Sequence, residues 1–252
     1  AAARAHVLRE PHPEPLARFR AVNVQGSIAL ARQAIAAGVR RVVFVSSIGV
    51  LGQSTTGRPP FNPGDLPDPQ EPYALSKWEA ELALAPLTAE AGVELVIVRP
   101  PLVCGPGAKG NLLRLLRLVD RGWPLPLADL SGRRSLVGLE SLADLLRLCV
   151  LHPDAPGDPL LAADRTSLTL PEMLQCLADG LDRPLRLWRV PPVWLGRAAA
   201  WAGKRGIWER LSGSLEVCPA ATCQRLGWQP DADPCAALRR MARSYRQQSP
   251  TR

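Results

Sequence analysis

Arg41-Val-Val-Phe-Val-Ser46 and Val93-Glu-Leu-Val-Ile-Val98 are short, nearly unbroken apolar runs. Runs of this kind mark strands buried on both faces. Between them, Tyr73 to Ala91 has helical spacing, with Pro72 just ahead of it and Gly92 as its stop. Strand, helix and strand in that order form a right-handed parallel crossover. Upstream, Leu16 to Ala37 carries apolar residues three and four steps apart (Phe19, Val22, Ile28, Ala31, Ile35), and Gly38 ends it. The front half therefore predicts helix, strand, helix, strand, an α/β arrangement on a parallel sheet.

Past Pro100-Pro101 the pattern loosens. Asn111 to Arg121, Leu139 to Leu151 and Leu170 to Leu181 read as helices, and Leu160 to Ala163 and Leu185 to Val190 as strands. Two short Trp-bearing helices follow between Val193 and Trp208, and an amphipathic helix runs from Pro234 to Gln247. These elements predict a smaller α+β lobe beside the sheet.

The 252 residues are 46% hydrophobic and 21% charged, an ordinary globular balance. No apolar run approaches the roughly 18 residues of a membrane span. The net charge of +8 suits nucleic acid, an anionic membrane or a phosphorylated small molecule, but it is spread along the chain. An Arg-rich solvated surface accounts for it, and neither nucleic acid nor membrane is expected as a partner. The six cysteines form no Cys-x-x-Cys pair, and His6, His12 and His152 offer no zinc spacing. A reducing cytoplasm, no disulfide framework and no metal are the expectation.

The sharpest chemical feature is Tyr73-Ala-Leu-Ser-Lys77. Four residues apart on a helix puts the phenol and the ammonium on one face. Bringing a tyrosine from pH 10 to neutrality takes about 4 kcal/mol of differential stabilisation, which a nearby ammonium and a cationic cofactor ring can supply. Such a tyrosine is an acid and base for neutral pH. Ser46-Ser47 ends the preceding strand, where ligands of parallel sheets bind.

With these residues in place the chain resembles the extended short-chain dehydrogenase/reductases, in their nucleotide-sugar epimerase/dehydratase branch. The resemblance rests on Asn23-Val-Gln-Gly-Ser27, Val43-Phe-Val-Ser-Ser-Ile-Gly-Val-Leu-Gly52, Pro72-Tyr-Ala-Leu-Ser-Lys77 and Arg99-Pro-Pro-Leu-Val-Cys-Gly-Pro-Gly107. It continues through Gly110-Asn-Leu112, Arg133-Arg-Ser-Leu-Val137 and Leu226-Gly-Trp-Gln-Pro230. It implies a Rossmann-type parallel sheet over residues 1–105 that binds NAD or NADP, with NAD favoured. Residues 106–252 would be mainly the substrate lobe, with some segments returning to the sheet.

The resemblance also implies roles. Tyr73 would be the catalytic acid and base, Lys77 would tune it and hold the nicotinamide ribose, and Ser47 would orient the sugar hydroxyl. Ala2, Ala3, Asn23, Ser46 and Pro100 would line the cofactor. Asn111 would contact the nucleotide sugar, and Arg134 its diphosphate. The implied partner is a nucleotide sugar, and the implied assembly is a homodimer.

Two departures matter. The family opens with a strand, a Gly-rich turn and a helix that seats pyrophosphate. Here Ala1 to Leu8 resembles the family's segment after its fourth strand, so the chain alone is expected to bind NAD(P) weakly and to dissolve poorly. Gly105-Pro-Gly-Ala-Lys-Gly110 fits the glycine spacing of a dinucleotide site, with Asp129 about 20 residues on. Pro106 removes an amide from that loop, which reads instead as the passage into the substrate lobe. The dehydratases of this family place an Asp-Glu pair where Ile48-Gly49 stands, so loss of water is not expected. That leaves a nucleotide-sugar epimerase of the UDP-hexose 4-epimerase type, a 4-keto-sugar reductase, or a non-catalytic remnant.

Overall fold

The computed structural model describes residues 15–231 and 233–248. Its front half is built on β1 (Arg41–Val45) and β2 (Glu94–Arg99), joined by the long helix α3 (Pro72–Glu90). The strands pair in parallel from Arg41 against Glu94 to Val45 against Val98. A short later strand, β6 (Leu160–Leu161), adds to the far edge of β2, so the sheet order is β1-β2-β6 and every pairing in it is parallel. The fold is α/β.

Alternate residues of the strands serve opposite faces. Phe44 and Leu95 pack with Val24 and Ala31 and with Ala80 and Leu84 of α3. Val43, Val96 and Val98 pack the other way, against Leu142 and Leu145 of α5 (Leu139–Leu151) and against Leu226 and Trp228. Both faces are covered, which is why these strands lack hydrophobic alternation in sequence.

The helix expected over Leu16 to Ala37 is interrupted. It divides into α1 (Pro15–Phe19), a wide π turn (Arg20–Gln25) and α2 (Gly26–Ala36). The turn buries Asn23 and Val24 beside α3. Periodicity cannot show one added residue per turn when the apolar spacing continues through it.

The rear lobe packs α4 (Asn111–Asp120), α6 (Leu170–Leu181) and α10 (Pro234–Gln248) around Leu112, Leu116, Leu174, Leu177, Leu238 and Met241. Gly180 makes the α6–α10 approach possible, because a Cβ there would stand 2.6 Å from the Arg239 carbonyl oxygen. Cys176 and Cys235 join these same two helices in a disulfide. This corrects the expectation of no disulfide: sequence spacing does not show that two cysteines 59 residues apart meet across a helix pair.

The lobe's strands are very short. β3 (Leu102–Cys104) pairs in parallel with β5 (Leu136–Gly138), and β4 (Arg133–Arg134) pairs antiparallel with β7 (Leu168–Thr169). The strand expected over Leu185 to Val190 reduces to one bridge between Leu125 and Leu187. Pro184, Pro191 and Pro192 lack the amide donors a longer ladder needs. The remaining helices are α7 (Pro192–Trp201), α8 (Arg205–Ser212) and α9 (Ala220–Leu226). Among the described residues, no helix is long and apolar enough to cross a membrane.

Candidate active site

The carboxyl ends of β1 and β2 are locked side by side. The Ser46 amide donates to the Val98 carbonyl at 2.7 Å, and the Ile48 amide to the Pro100 carbonyl at 2.9 Å. The chain therefore leaves both strands at one level, with Ser46, Ser47 and Pro100 on the rim of a cleft of about 1010 Å³. Tyr73 and Lys77 from α3 enter the same cleft, and Asn111 and Arg134 reach it from the rear lobe.

One expected residue, Asn23, lies elsewhere. Asn23 is buried, and its side-chain amide donates to the Ser76 hydroxyl at 3.0 Å. Ser76 in turn donates to the Tyr73 carbonyl at 2.7 Å, so Asn23 braces the first turn of α3 from behind. Ala2 and Ala3 lie outside the described residues.

Tyr73 begins α3, which starts at Pro72 as its fixed φ favours. The phenol ring meets Phe19 edge-on at 5.9 Å between centroids. Lys77 is 4% exposed. Its ammonium donates to the Val45 carbonyl at 2.8 Å and lies 4.7 Å from the Phe44 ring centre. Burial brings Lys77 down to about 8, and Glu81, one turn on, opposes that fall. Burial pushes the Tyr73 phenol up from its usual value. The ammonium is turned toward the end of β1, where it meets the Val45 carbonyl.

Sequence reading missed what stands behind Lys77. Arg99, the last residue of β2, donates to both carboxylate oxygens of Glu81, at 3.0 and 2.5 Å. The two side chains are 4% and 2% exposed. Glu81 at four residues past Lys77 was a readable signal, since that spacing keeps one helix face. Its partner on β2 was not readable from spacing.

Arg210 of α8 was missed as well. It lines the cleft with Arg134 and pairs with Glu71 at the start of α3. Burial, and then the neighbouring Arg210 charge, lowers the Arg134 guanidinium from its usual value. Arg134 also donates to the Gly213 carbonyl at 3.3 Å. Two guanidinium groups in one wall suit a diphosphate. The loop from Gly105 to Lys109 lines the cleft too, and leads into α4 through Gly110 at φ +66°.

The cleft's fit to a nicotinamide cofactor is testable on one atom. The Ser46 hydroxyl is buried on the rim and has no hydrogen-bond partner. Buried hydroxyls are normally paired, so a polar ligand group is the natural partner for it. The Lys77 ammonium has three donors and spends one on Val45, leaving others for ribose hydroxyls. Ser46, Tyr73, Lys77 and Pro100 thus fit the ribose and nicotinamide end of such a cofactor.

Residues 1–160 match the family model described as the NAD dependent epimerase/dehydratase family. The chain is 42% identical over 232 residues to UDP-glucose 4-epimerase of Vibrio cholerae, which covers 91% of this chain and 70% of that protein. Among solved structures it is similar to a UDP-glucose 4-epimerase of Thermotoga maritima with UDP-glucose, at 20% identity and a TM-score of 0.74, covering 98% of this chain and 76% of that one. It is also similar to RMD from Pseudomonas aeruginosa complexed with NADPH, at 20% identity and a TM-score of 0.77, over 98% and 80% of the two chains. With the family model spanning more than half of its residues, the chain belongs to the NAD dependent epimerase/dehydratase family.

Proposed function

We propose that the cleft inverts C4 of a nucleotide sugar of the UDP-hexose class, using NAD in preference to NADP. One observation carries the reading: Ser47, Tyr73 and Lys77 share a single cleft with the arginine pair Arg134 and Arg210. An acid/base group and a diphosphate cradle within one cleft are what a sugar joined to a nucleotide requires. Identity to UDP-glucose 4-epimerase of Vibrio cholerae supports the same class.

A nicotinamide cofactor, when bound, supplies the acceptor and donor of hydride at the sugar carbon. Tyr73 exchanges the proton of the C4 hydroxyl. Lys77 holds ribose hydroxyls and places positive charge under the first turn of α3. Ser47 orients the reacting hydroxyl, and Asn111 and Arg134 fix the nucleotide and its diphosphate. Ile48 is buried and Gly49 lines the cleft, so neither offers the proton-transferring group that a dehydratase needs there. In this reading residues 1–105 are the cofactor half and 106–252 mainly the substrate lobe, working as a homodimer in the cytoplasm.

The test is the fate of a deuterium placed at C4 of a UDP-hexose. It is run with NAD on a chain extended upstream of Ala1 by a relative's N-terminal segment. The expected result is the C4 epimer with deuterium retained and no net NADH. Stoichiometric formation of deuterated NADH with a 4-keto sugar would instead assign a keto-sugar reductase running in reverse, and no conversion would assign a remnant.

A further inference from the structure

Helices α7 and α8 bury none of their residues. Four of their large apolar side chains are exposed: Val193 by 63%, Trp194 66%, Trp201 93% and Ile207 47%. Trp194, Arg197 and Trp201 fall at positions i, i+3 and i+7, on one face of α7. The bridged segments just before add Trp188 and Trp123, both also exposed. The inner side of the pair is used up by other residues. Trp208 lies so close over α7 that a Cβ at Gly196 would be 2.8 Å from its indole nitrogen, and Trp208 and Leu211 pack on the lobe's core. Single exposed apolar residues are ordinary, but a set of tryptophans on one helical pair and its flank is not.

Charge selects the occupant. From Leu185 to Ser212 there are six basic residues (Arg186, Arg189, Arg197, Lys204, Arg205, Arg210) and one acid, Glu209. Arg205 pairs with Glu209, Arg189 with Asp129 and Arg210 with Glu71, and among the described residues Arg186, Arg197 and Lys204 stand in no ion pair. A second copy of the chain laid on this face would set these three cations against the same three. An anionic lipid surface neutralises them, and tryptophan favours the headgroup level, where an apolar body and a polar tip are both satisfied.

We propose that the α7–α8 face docks on the surface of an anionic bilayer, with Trp194 and Trp201 at headgroup depth and Arg197 and Lys204 on lipid phosphates. This is a surface contact and not a span, and it departs from the expectation of no membrane partner. Arg210, on the same helix α8, lines the cleft, so docking sets the cleft's arginine wall beside the bilayer. The docking does not depend on which reaction the cleft performs.

The test is vesicle flotation of the 252-residue chain, which separates lipid-bound protein from any aggregate. Vesicles of phosphatidylglycerol and phosphatidylethanolamine are compared with phosphatidylcholine alone, and tryptophan emission is recorded. The expected result is flotation with the anionic vesicles only, a blue-shifted emission, and release by salt. Trp194→Ala with Trp201→Ala should weaken binding about tenfold or more, since most of the inserted apolar area is removed. Arg197→Glu with Lys204→Glu provides a second readout should the first pair disturb folding, and should abolish flotation. Absence of flotation, or flotation unchanged in both variants, would overturn the proposal. So would a concentration-dependent dimer that the tryptophan variants abolish, which would assign the face to a second copy.

Discussion

The two halves of this molecule are stabilised in opposite ways. Around α3 a set of polar side chains is buried beside the apolar cluster: Asn23, Ser76, Lys77, Glu81 and Arg99 all lie within the first half of the chain. Around α6 and α10 the interior is an apolar cluster of leucines, methionines and small residues, tied by a disulfide. Buried charges rarely add stability over apolar packing of the same volume. Their presence under Tyr73 and Lys77 therefore marks the front half as the side shaped for chemistry. The rear lobe is shaped to hold its shape while presenting Asn111 and Arg134 to the cleft. Substitutions should separate the halves accordingly.

The largest stability effect is expected at Glu81. Glu81→Gln strands the Arg99 guanidinium in a site where it is 4% exposed. Urea unfolding should show a loss of roughly 3–5 kcal/mol. Because Glu81 holds the Lys77 pKa up, its loss should also move the titration of Lys77 further down. A loss under about 1 kcal/mol would mean that the pair is a surface-like ion pair, and the contrast between the halves would fail.

Lys77 should show the reverse sign. Its pKa is about 8 folded against 10.5 for the ordinary side chain, so the unfolded chain binds this proton more tightly. The burden on folding is full below pH 8 and fades as the pH rises from about 8 toward 10.5. Lys77→Met should therefore stabilise the fold by about 2 kcal/mol at pH 7, with the gain shrinking through that window. A variant that is less stable at pH 7 would show that the Val45 hydrogen bond outweighs the burial of the charge.

The smallest effect belongs to the rear lobe. Thr169 caps α6 through the Glu172 amide, while Glu172 returns a bond to the Thr169 amide. Thr169→Ala should cost about 1 kcal/mol in thermal unfolding and leave the cleft unaltered. A change in catalysis from this substitution would join the halves more tightly than their separate cores suggest.

The same contrast explains what could be read beforehand. Arg41 to Ser46 and Val93 to Val98 were legible because strands covered on both faces are continuous apolar runs. Helices α3, α5 and α6 were legible from spacing and from their proline and glycine ends. The strands β3, β4, β5 and β7 were not, since two or three residues carry no period. The Tyr73–Lys77 face was legible because both residues lie on one helix. Arg210 was not, since it enters the cleft from a helix that comes 76 residues after Arg134 (210 − 134). The buried Asn23–Ser76 bond was hidden for the same reason: it is a tertiary contact behind the helix, and the family resemblance aimed Asn23 at the cofactor.

The division of labour across one cleft is the central claim, and one kinetic comparison tests it directly. In the upstream-extended chain, kcat and KM for a UDP-hexose are measured for Tyr73→Phe and Arg134→Ala side by side. Loss of the proposed acid/base group should lower kcat by about 10²- to 10⁴-fold with little change in KM. Loss of the proposed diphosphate contact should raise KM by roughly tenfold to a hundredfold, the equivalent of about 1.5–3 kcal/mol, with kcat near the parent value. An unchanged KM in Arg134→Ala, or an unimpaired kcat in Tyr73→Phe, would contradict the account.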